Sequence, residues 1–267
     1  MNQAQQIYER LKEKTEQPVV AFNLFSSEEE KTTVLDSKIG GAFYVPENMT
    51  APVDKETGKP MFLLAQINFA ECPHLEDFPT EGLLQFFISD DDVYGCDFDD
   101  QTKQSSWRLR YIEKLPALED IPQSCIVKPQ LDENDDEPYL PFDVDTEYRI
   151  YPMEAKQSIS IEDHRFHFLL KEYCSDITNG VNYYDLPEET IEQLYDLLEP
   201  FGCQMGGYPT FTQSDPRSSD KFEVLLFQLD SVEDIMWGDS GVANFFISRE
   251  ALRAKDFSKV MYNWDCC

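Results

Sequence analysis

The chain predicts a mainly β protein, a β-rich α+β fold of antiparallel sheets, internally duplicated about a pseudo-twofold axis with a few peripheral helices. Three observations carry this expectation. First, Gly82-Leu-Leu-Gln-Phe-Phe-Ile-Ser89 returns as Gly241-Val-Ala-Asn-Phe-Phe-Ile-Ser248. Second, Leu63-Leu-Ala-Gln66-Ile-Asn68 precedes the first copy as Leu225-Leu-Phe-Gln228-Leu-Asp230 precedes the second, and Asp97-Phe98 and Asp256-Phe257 follow at a matching distance. Third, the strand-like runs are short and punctuated by Gly and Asp, without the regular β-α-β alternation of a doubly wound sheet. Two copies favour a closed pair over a solenoid, which needs at least three repeats to bury its faces.

Residues 3–16 read as a narrow-faced, peripheral helix, because Ile7 and Leu11 share a face and Pro18 lies just beyond. Val19-Val-Ala-Phe22 and Ala42-Phe-Tyr-Val45 read as strands separated by Glu28-Glu-Glu30 and the turn at Gly40-Gly41. The repeated strand pair follows, and then Trp107 to Ile112, whose alternation fits a strand with one wet face. From 116 to 147 proline and acid dominate, most densely from Asp132 to Pro138, which reads as a surface loop. Ser158 to Leu170 alternates as a strand would. Leu186 to Leu198 carries proline and two glutamates in its first turn and the stripe Ile191, Leu194, Tyr195 and Leu198, a helix expected to lie against a sheet. A short helix capped by Ser248 runs to Arg253. The expected organisation is one domain over 1–267, with repeat units at about 40–115 and 206–267 joined by the acidic loop 116–147 and a strand and helix segment 148–205.

The 267 residues include 22 basic and 52 acidic side chains, a net charge of −30. Such a field repels phosphate backbones and anionic membrane surfaces, so neither nucleic acid nor membrane is an expected partner. It attracts a basic protein or a polyvalent cation, or it simply keeps the chain soluble. Seven cysteines without a C-x-x-C spacing, and no secretory leader, point to a reduced, cytoplasmic protein. For Cys266-Cys267, exposed thiols are expected over a strained vicinal disulfide.

Strand parity singles out one candidate site. Leu63, Ala65, Ile67 and Phe69 point one way and Phe62, Leu64, Gln66 and Asn68 the other; Gln228 and Asp230 repeat the polar end. Either the two polar ends converge on a cleft between the repeats, or Gln66 and Gln228 satisfy buried groups. Further candidates are Asp215 with Arg217, which suits carboxylate capture or a capped turn, and Trp237 with Asp239, which suits a presented site or a hairpin turn. The acidic run from Asp90 to Gln101 fails as a calcium loop, because Tyr94 and Gln101 stand where oxygen ligands are needed. His164 and His167 would leave a strand on opposite faces, so no zinc site is expected, nor any cofactor. No nucleophile elbow, phosphate loop, dinucleotide fingerprint or zinc-protease motif is present, and no catalytic residue is assigned.

The combination of Gly40-Gly41, Gln66-Ile-Asn68, Gly82 to Ile88, Tyr208 to Gln213, Asp215-Pro-Arg217, Leu225 to Asp230, Trp237 to Gly241 and Asn263-Trp-Asp-Cys266 resembles the YwqG-like bacterial proteins. These are classed as a domain of unknown function, and the likeness runs from about Val34 to Cys266. It implies a roll-like, mainly β fold in a cytoplasmic protein, with no activity to carry over. Members sometimes neighbour toxin and immunity loci, which implies partner binding. The expectation is therefore a non-catalytic, immunity-like module for a basic protein, its rim formed by the loops at 90–100 and 132–137. The alternative is an enzyme or small-ligand binder using the inter-repeat cleft. Neither the partner nor the oligomeric state is assigned.

Overall fold

The computed structural model describes the chain except residues 129, 131–137 and 219. The expected acidic rim at 132–137 therefore lies outside the described residues. Helix α1 (Gln3–Thr15) is capped by Asn2, whose side chain accepts from the Gln5 N–H. The strands follow as β1 (Gln17–Ser26), β2 (Lys38–Gly40), β3 (Phe43–Tyr44), β4 (Phe62–Asn68), β5 (Leu83–Ile88), β6 (Trp107–Ile112), β7 (Ile126–Val127) and β8 (Glu147–Gln157). Helices α2 (Phe166–Thr178) and α3 (Glu188–Leu197) come next, and then β9 (Gln204–Gly206), β10 (Val224–Asp230), β11 (Val242–Ile247), α4 (Arg249–Arg253) and β12 (Val260–Asp265).

Among the described residues ten strands form one antiparallel sheet in the order β12-β11-β10-β9-β1-β8-β2-β4-β5-β6, and β3 pairs with β7. Two matching four-strand halves thus flank a central pair. The registers match as well: Gln66 faces Gln85 as Gln228 faces Asn244, and a bulge interrupts β4 at Leu63/Ala65 as another interrupts β10 at Leu225/Phe227. Moreover, Lys38 faces Arg149 of β8 as Gln204 faces Ala21 of β1, so each half borrows the long strand that lies ahead of the other. Carried onto the β1–β8 register, this correspondence maps one pair onto itself, Asn23↔Tyr151, where the pseudo-twofold axis passes.

The sheet rolls because its apolar inner face must close on itself. Phe86 of β5 meets Phe227 of β10 at 4.7 Å and Phe245 of β11 at 5.0 Å between ring centroids. Trp107 and Tyr262, from the two edge strands, meet at 5.4 Å. The paired glycines close the turns after β2 and β9. Gly40 and Gly206 have φ of 63° and 74°, and a Cβ on Gly40 would sit 2.3 Å from the Thr146 carbonyl oxygen.

Three local expectations are corrected. The bulges shift parity, so Leu64 and Leu226 join the inner core while Leu63 and Leu225 turn to smaller outer clusters. Ser158 to Leu170 is not a strand: the strand is β8, which ends at Gln157, and α2 begins at Phe166. Phe166, Leu170 and Cys174 supply a buried stripe at four-residue spacing, and Asn179 in the left-handed region ends the helix. Pro152 obscures β8 in the sequence, yet β2 pairs with it only at Glu147 to Arg149, so a residue without an N–H is tolerated further along. Finally, α3 packs with α1 and α2 in a separate helical core, through Leu194 and Leu198, rather than against the sheet. No helix among the described residues is long and apolar enough to cross a membrane.

Candidate functional site

The repeated amides lie on the outer face of the roll, opposite Ala65 and Ile67, and both are fully buried. Gln66 Nε2 donates to the carbonyls of Asp36 at 2.7 Å and Val34 at 3.1 Å, and its Oε1 accepts from Gln85 at 3.2 Å. Gln228 Nε2 donates to Phe201 at 2.7 Å and Gly202 at 3.2 Å, while its Oε1 accepts from the Thr210 N–H at 2.9 Å. Their strand partners repeat the pattern, since Gln85 donates to the Tyr44 carbonyl and Asn244 to that of Thr210. Each amide therefore clamps the chain segments that cover its half of the sheet, a need that buried carbonyls impose. The two polar ends do not converge: four strands separate β4 from β10, and outward-facing residues of a roll diverge.

Asn68 and Asp230 occupy equivalent positions with different chemistry. Asn68 donates to the Leu35 carbonyl at 2.9 Å and accepts from the Ala70 N–H at 3.1 Å. Asp230 accepts from the Ser231 N–H at 2.8 Å, and burial pushes its carboxyl above the ordinary value. A raised acid stabilises the fold below its unfolded value and loses that contribution as pH rises through the folded one. Asp230→Asn, which installs the first copy's residue, is accordingly expected to stabilise the protein by about 1 kcal/mol at pH 7, with the gain shrinking as pH falls. Urea melts at pH 7 and pH 4.5 check this.

Trp237 is fully buried against Tyr94, with ring centroids 5.3 Å apart, whereas Asp239 is exposed in the turn linking β10 and β11. The Gly241 N–H donates to the Trp237 carbonyl at 2.8 Å, closing that turn. Asp215 and Arg217 belong to a buried charge network. Arg217 Nε and Nη2 donate to Asp215 at 2.9 and 2.6 Å, Nη2 also reaches Asp163 at 3.0 Å, and the guanidinium lies 4.3 Å from the centre of the Phe246 ring. Arg165 holds the other side of Asp163 through two 2.7 Å bonds, and His164 Nδ1 lies 3.1 Å from Asp215. Burial raises the Asp163 carboxyl, but the bonds and charge of Arg165, with the charge of Arg217, outweigh it and hold the group below its ordinary value. Arg217 thus captures carboxylates, and they are the chain's own.

Asp163, His164 and Asp215 bring ligand-type atoms within 4.8 Å of one another. Two guanidiniums already supply the positive charge that a cation would bring. The reading of the two histidines on opposite faces of a strand is corrected: His164 precedes α2 and His167 lies in its first turn. The sequence signal for the network was Asp163-His-Arg165 immediately ahead of a helix, which the strand reading concealed. Burial also pushes the Cys96 and Cys203 thiols up to about 12, so neither supplies a thiolate at neutral pH.

One face remains bare. Along the central pair, Phe25, Tyr151 and Met153 are 40%, 38% and 45% exposed on the outer side of the sheet, astride the pseudo-twofold axis. Phe25 and Tyr151 meet edge to face at 5.4 Å, and the Arg149 guanidinium lies 5.0 Å from the centre of the Tyr151 ring. At the end of this pair lies a groove of about 520 Å³ whose walls include Glu28, Glu29, Asp145, Glu147, Glu233 and Asp234, of which Glu147 pairs with Lys38 at 2.6 Å and Asp145 with Lys128 at 2.8 Å.

A family model described as a domain of unknown function (DUF1963) matches residues 37–266. The chain belongs to that family. No curated protein matches it. The match opens at Ser37, just ahead of β2, and therefore leaves out β1, although β1 is the pseudo-twofold counterpart of β8 and sits between β8 and β9. In this DUF1963 protein the Gln66, Gln228 and Arg217 positions are bound into the fold, and the exposed chemistry lies on the central strands.

Proposed function

We propose that the chain is a non-catalytic binding protein whose central β1–β8 face docks a basic protein partner. The carrying observation is the exposed trio Phe25, Tyr151 and Met153 on the outer side of the central pair, on the same two strands whose end opens into a groove lined by six carboxylates. Aromatic anchors on a strand pair that ends in an acidic groove suit a cationic polypeptide: the rings receive apolar groups, and the carboxylates that no lysine neutralises among the described residues, Glu28, Glu29, Glu233 and Asp234, steer the encounter. The net charge of −30 reinforces that steering over the whole surface. A basic toxin domain, neutralised in an immunity-like manner, is the form of partner that the family resemblance suggests. The seven free cysteines suit the cytoplasm, where thiols stay reduced.

The test uses the purified chain as bait at low salt, followed by affinity measurement on whatever basic protein is recovered. Phe25→Asp with Tyr151→Asp is expected to weaken binding at least ~30-fold, as loss of central anchors does, whereas Phe168→Asp on the exposed side of α2 leaves it unchanged. Recovery of only neutral or acidic proteins, or equal affinity of the double variant, overturns the proposal.

A further inference from the structure

We propose a second site, for a small organic phosphate, at the seam where the sheet rolls closed. A pocket of about 720 Å³ lies between the turn ahead of β6 and the turn ahead of β12, and four basic side chains line it: Lys55, Lys103, Arg108 and Lys255. The chain has only 22 such residues among 52 acidic ones, so this local excess opposes the sign of the whole molecule. Asp256 is the one carboxylate in the lining, and it is held by the Ser258 hydroxyl at 2.5 Å and by Lys259 at 3.1 Å.

Two of the four cations are already balanced. Lys103 bridges Glu56 and Asp97, each at 3.0 Å, and Lys255 pairs with Glu113. The other two are not. Among the described residues Lys55 and Arg108 make no ion pair, and the Arg108 guanidinium has a single long bond of 3.5 Å to the Gln104 carbonyl. A planar group with five donors and one weak partner retains its capacity for bidentate capture of an oxyanion. Two unpaired cations around one volume favour a dianionic phosphate over a monocarboxylate, because the Coulomb gain scales with the ligand's charge.

Part of the lining is aromatic, and Lys255 Nζ lies 5.6 Å from the centre of the Tyr111 ring. Tyr111 and Phe257 meet there with ring centroids 5.2 Å apart, and Leu109 adjoins them. The site therefore offers cations for the phosphate and ring faces for an organic body within one lining. Gln104 secures the geometry from within, since its Nε2 donates to the Phe257 carbonyl at 2.8 Å and its Oε1 accepts from the Leu109 N–H at 3.1 Å. The pocket draws on the loops of both halves of the roll, and it shares no residue with the acidic groove or the β1–β8 face.

Titration calorimetry on the full chain tests this with phenyl phosphate as probe and benzoate as the carboxylate arm. Phenyl phosphate is expected to saturate the wild type, and Lys55→Ala with Arg108→Gln to weaken it at least ~10-fold, the scale of one charge-assisted bond. Lys55→Ala alone, at an exposed side chain outside the core, is expected to weaken it about 3-fold, which guards against a folding defect at position 108. Lys171→Ala on α2 is the control and changes nothing. Absence of saturation by about 1 mM, equal binding of benzoate, or equal affinity of the double variant overturns the proposal.

Discussion

Arg217→Met is expected to destabilise the protein by about 3–5 kcal/mol, the usual consequence of removing one member of a buried ion network. The Arg217 side chain is 1% exposed, and its partners Asp163 and Asp215 are 0% and 3% exposed. Methionine matches much of the volume but removes the guanidinium from Asp215, which keeps its His164 and backbone contacts, and from Asp163, which keeps Arg165 and, at 3.8 Å, His164. The accompanying variant Arg217→Met with Asp215→Asn should recover about half of the loss, because the orphaned charge goes with its partner. The effect also depends on pH with a definite sign. Asp163 is held below its ordinary value, so its contribution is present above the unfolded carboxylate value of about 4 and is lost as pH falls through the folded value. The gap between wild type and variant must therefore narrow on acidification. Urea denaturation at pH 7 and pH 4 measures both statements, and a gap that widens in acid would contradict the assignment.

Gln228→Leu is expected to cost about 2–4 kcal/mol, and Gln66→Leu a similar amount. Leucine nearly fills the space but strands two carbonyls and, at position 228, the Thr210 N–H, each of which had relied on the amide. Desolvated backbone groups without partners cost more than the lost bond itself is worth, which is why a conservative volume swap is predicted to be severe. The two losses should add in the double variant, since the amides serve separate halves of the sheet and share no partner. Chemical denaturation of the three variants provides the check. Variants as stable as the wild type would contradict the clamping role of the amides.

The outcome at these positions illustrates how far a sequence is legible. The repeat, the antiparallel character and the ends of α1, α3 and α4 were readable because they depend on local chemistry: alternation of apolar residues, Ile7 and Leu11 on one face with Pro18 beyond, Ser248 as a cap, Pro187 ahead of a first turn. The amides at 66 and 228 stood out for the same reason, as polar residues on otherwise apolar strands. Their destinations were not readable, because the carbonyls they serve lie 26 to 32 residues away in sequence. β8 and α2 were misplaced where Pro152 and an aromatic-rich helix start blurred both periodicities.

By itself the sequence determined that this protein is a β-rich duplication with an acidic exterior, because side-chain alternation and net charge are properties of the chain at any conformation. Only the tertiary structure decided that β1 and β8 are exchanged between the halves, that the bulges turn Leu64 and Leu226 inward, and that Arg217 is spent on internal carboxylates. It also decided that Lys55, Lys103, Arg108 and Lys255 share one pocket. The physical reason is that pairing between distant strands, and the burial of charges against one another, are set by the closure of the whole sheet, and no local run of residues encodes that closure.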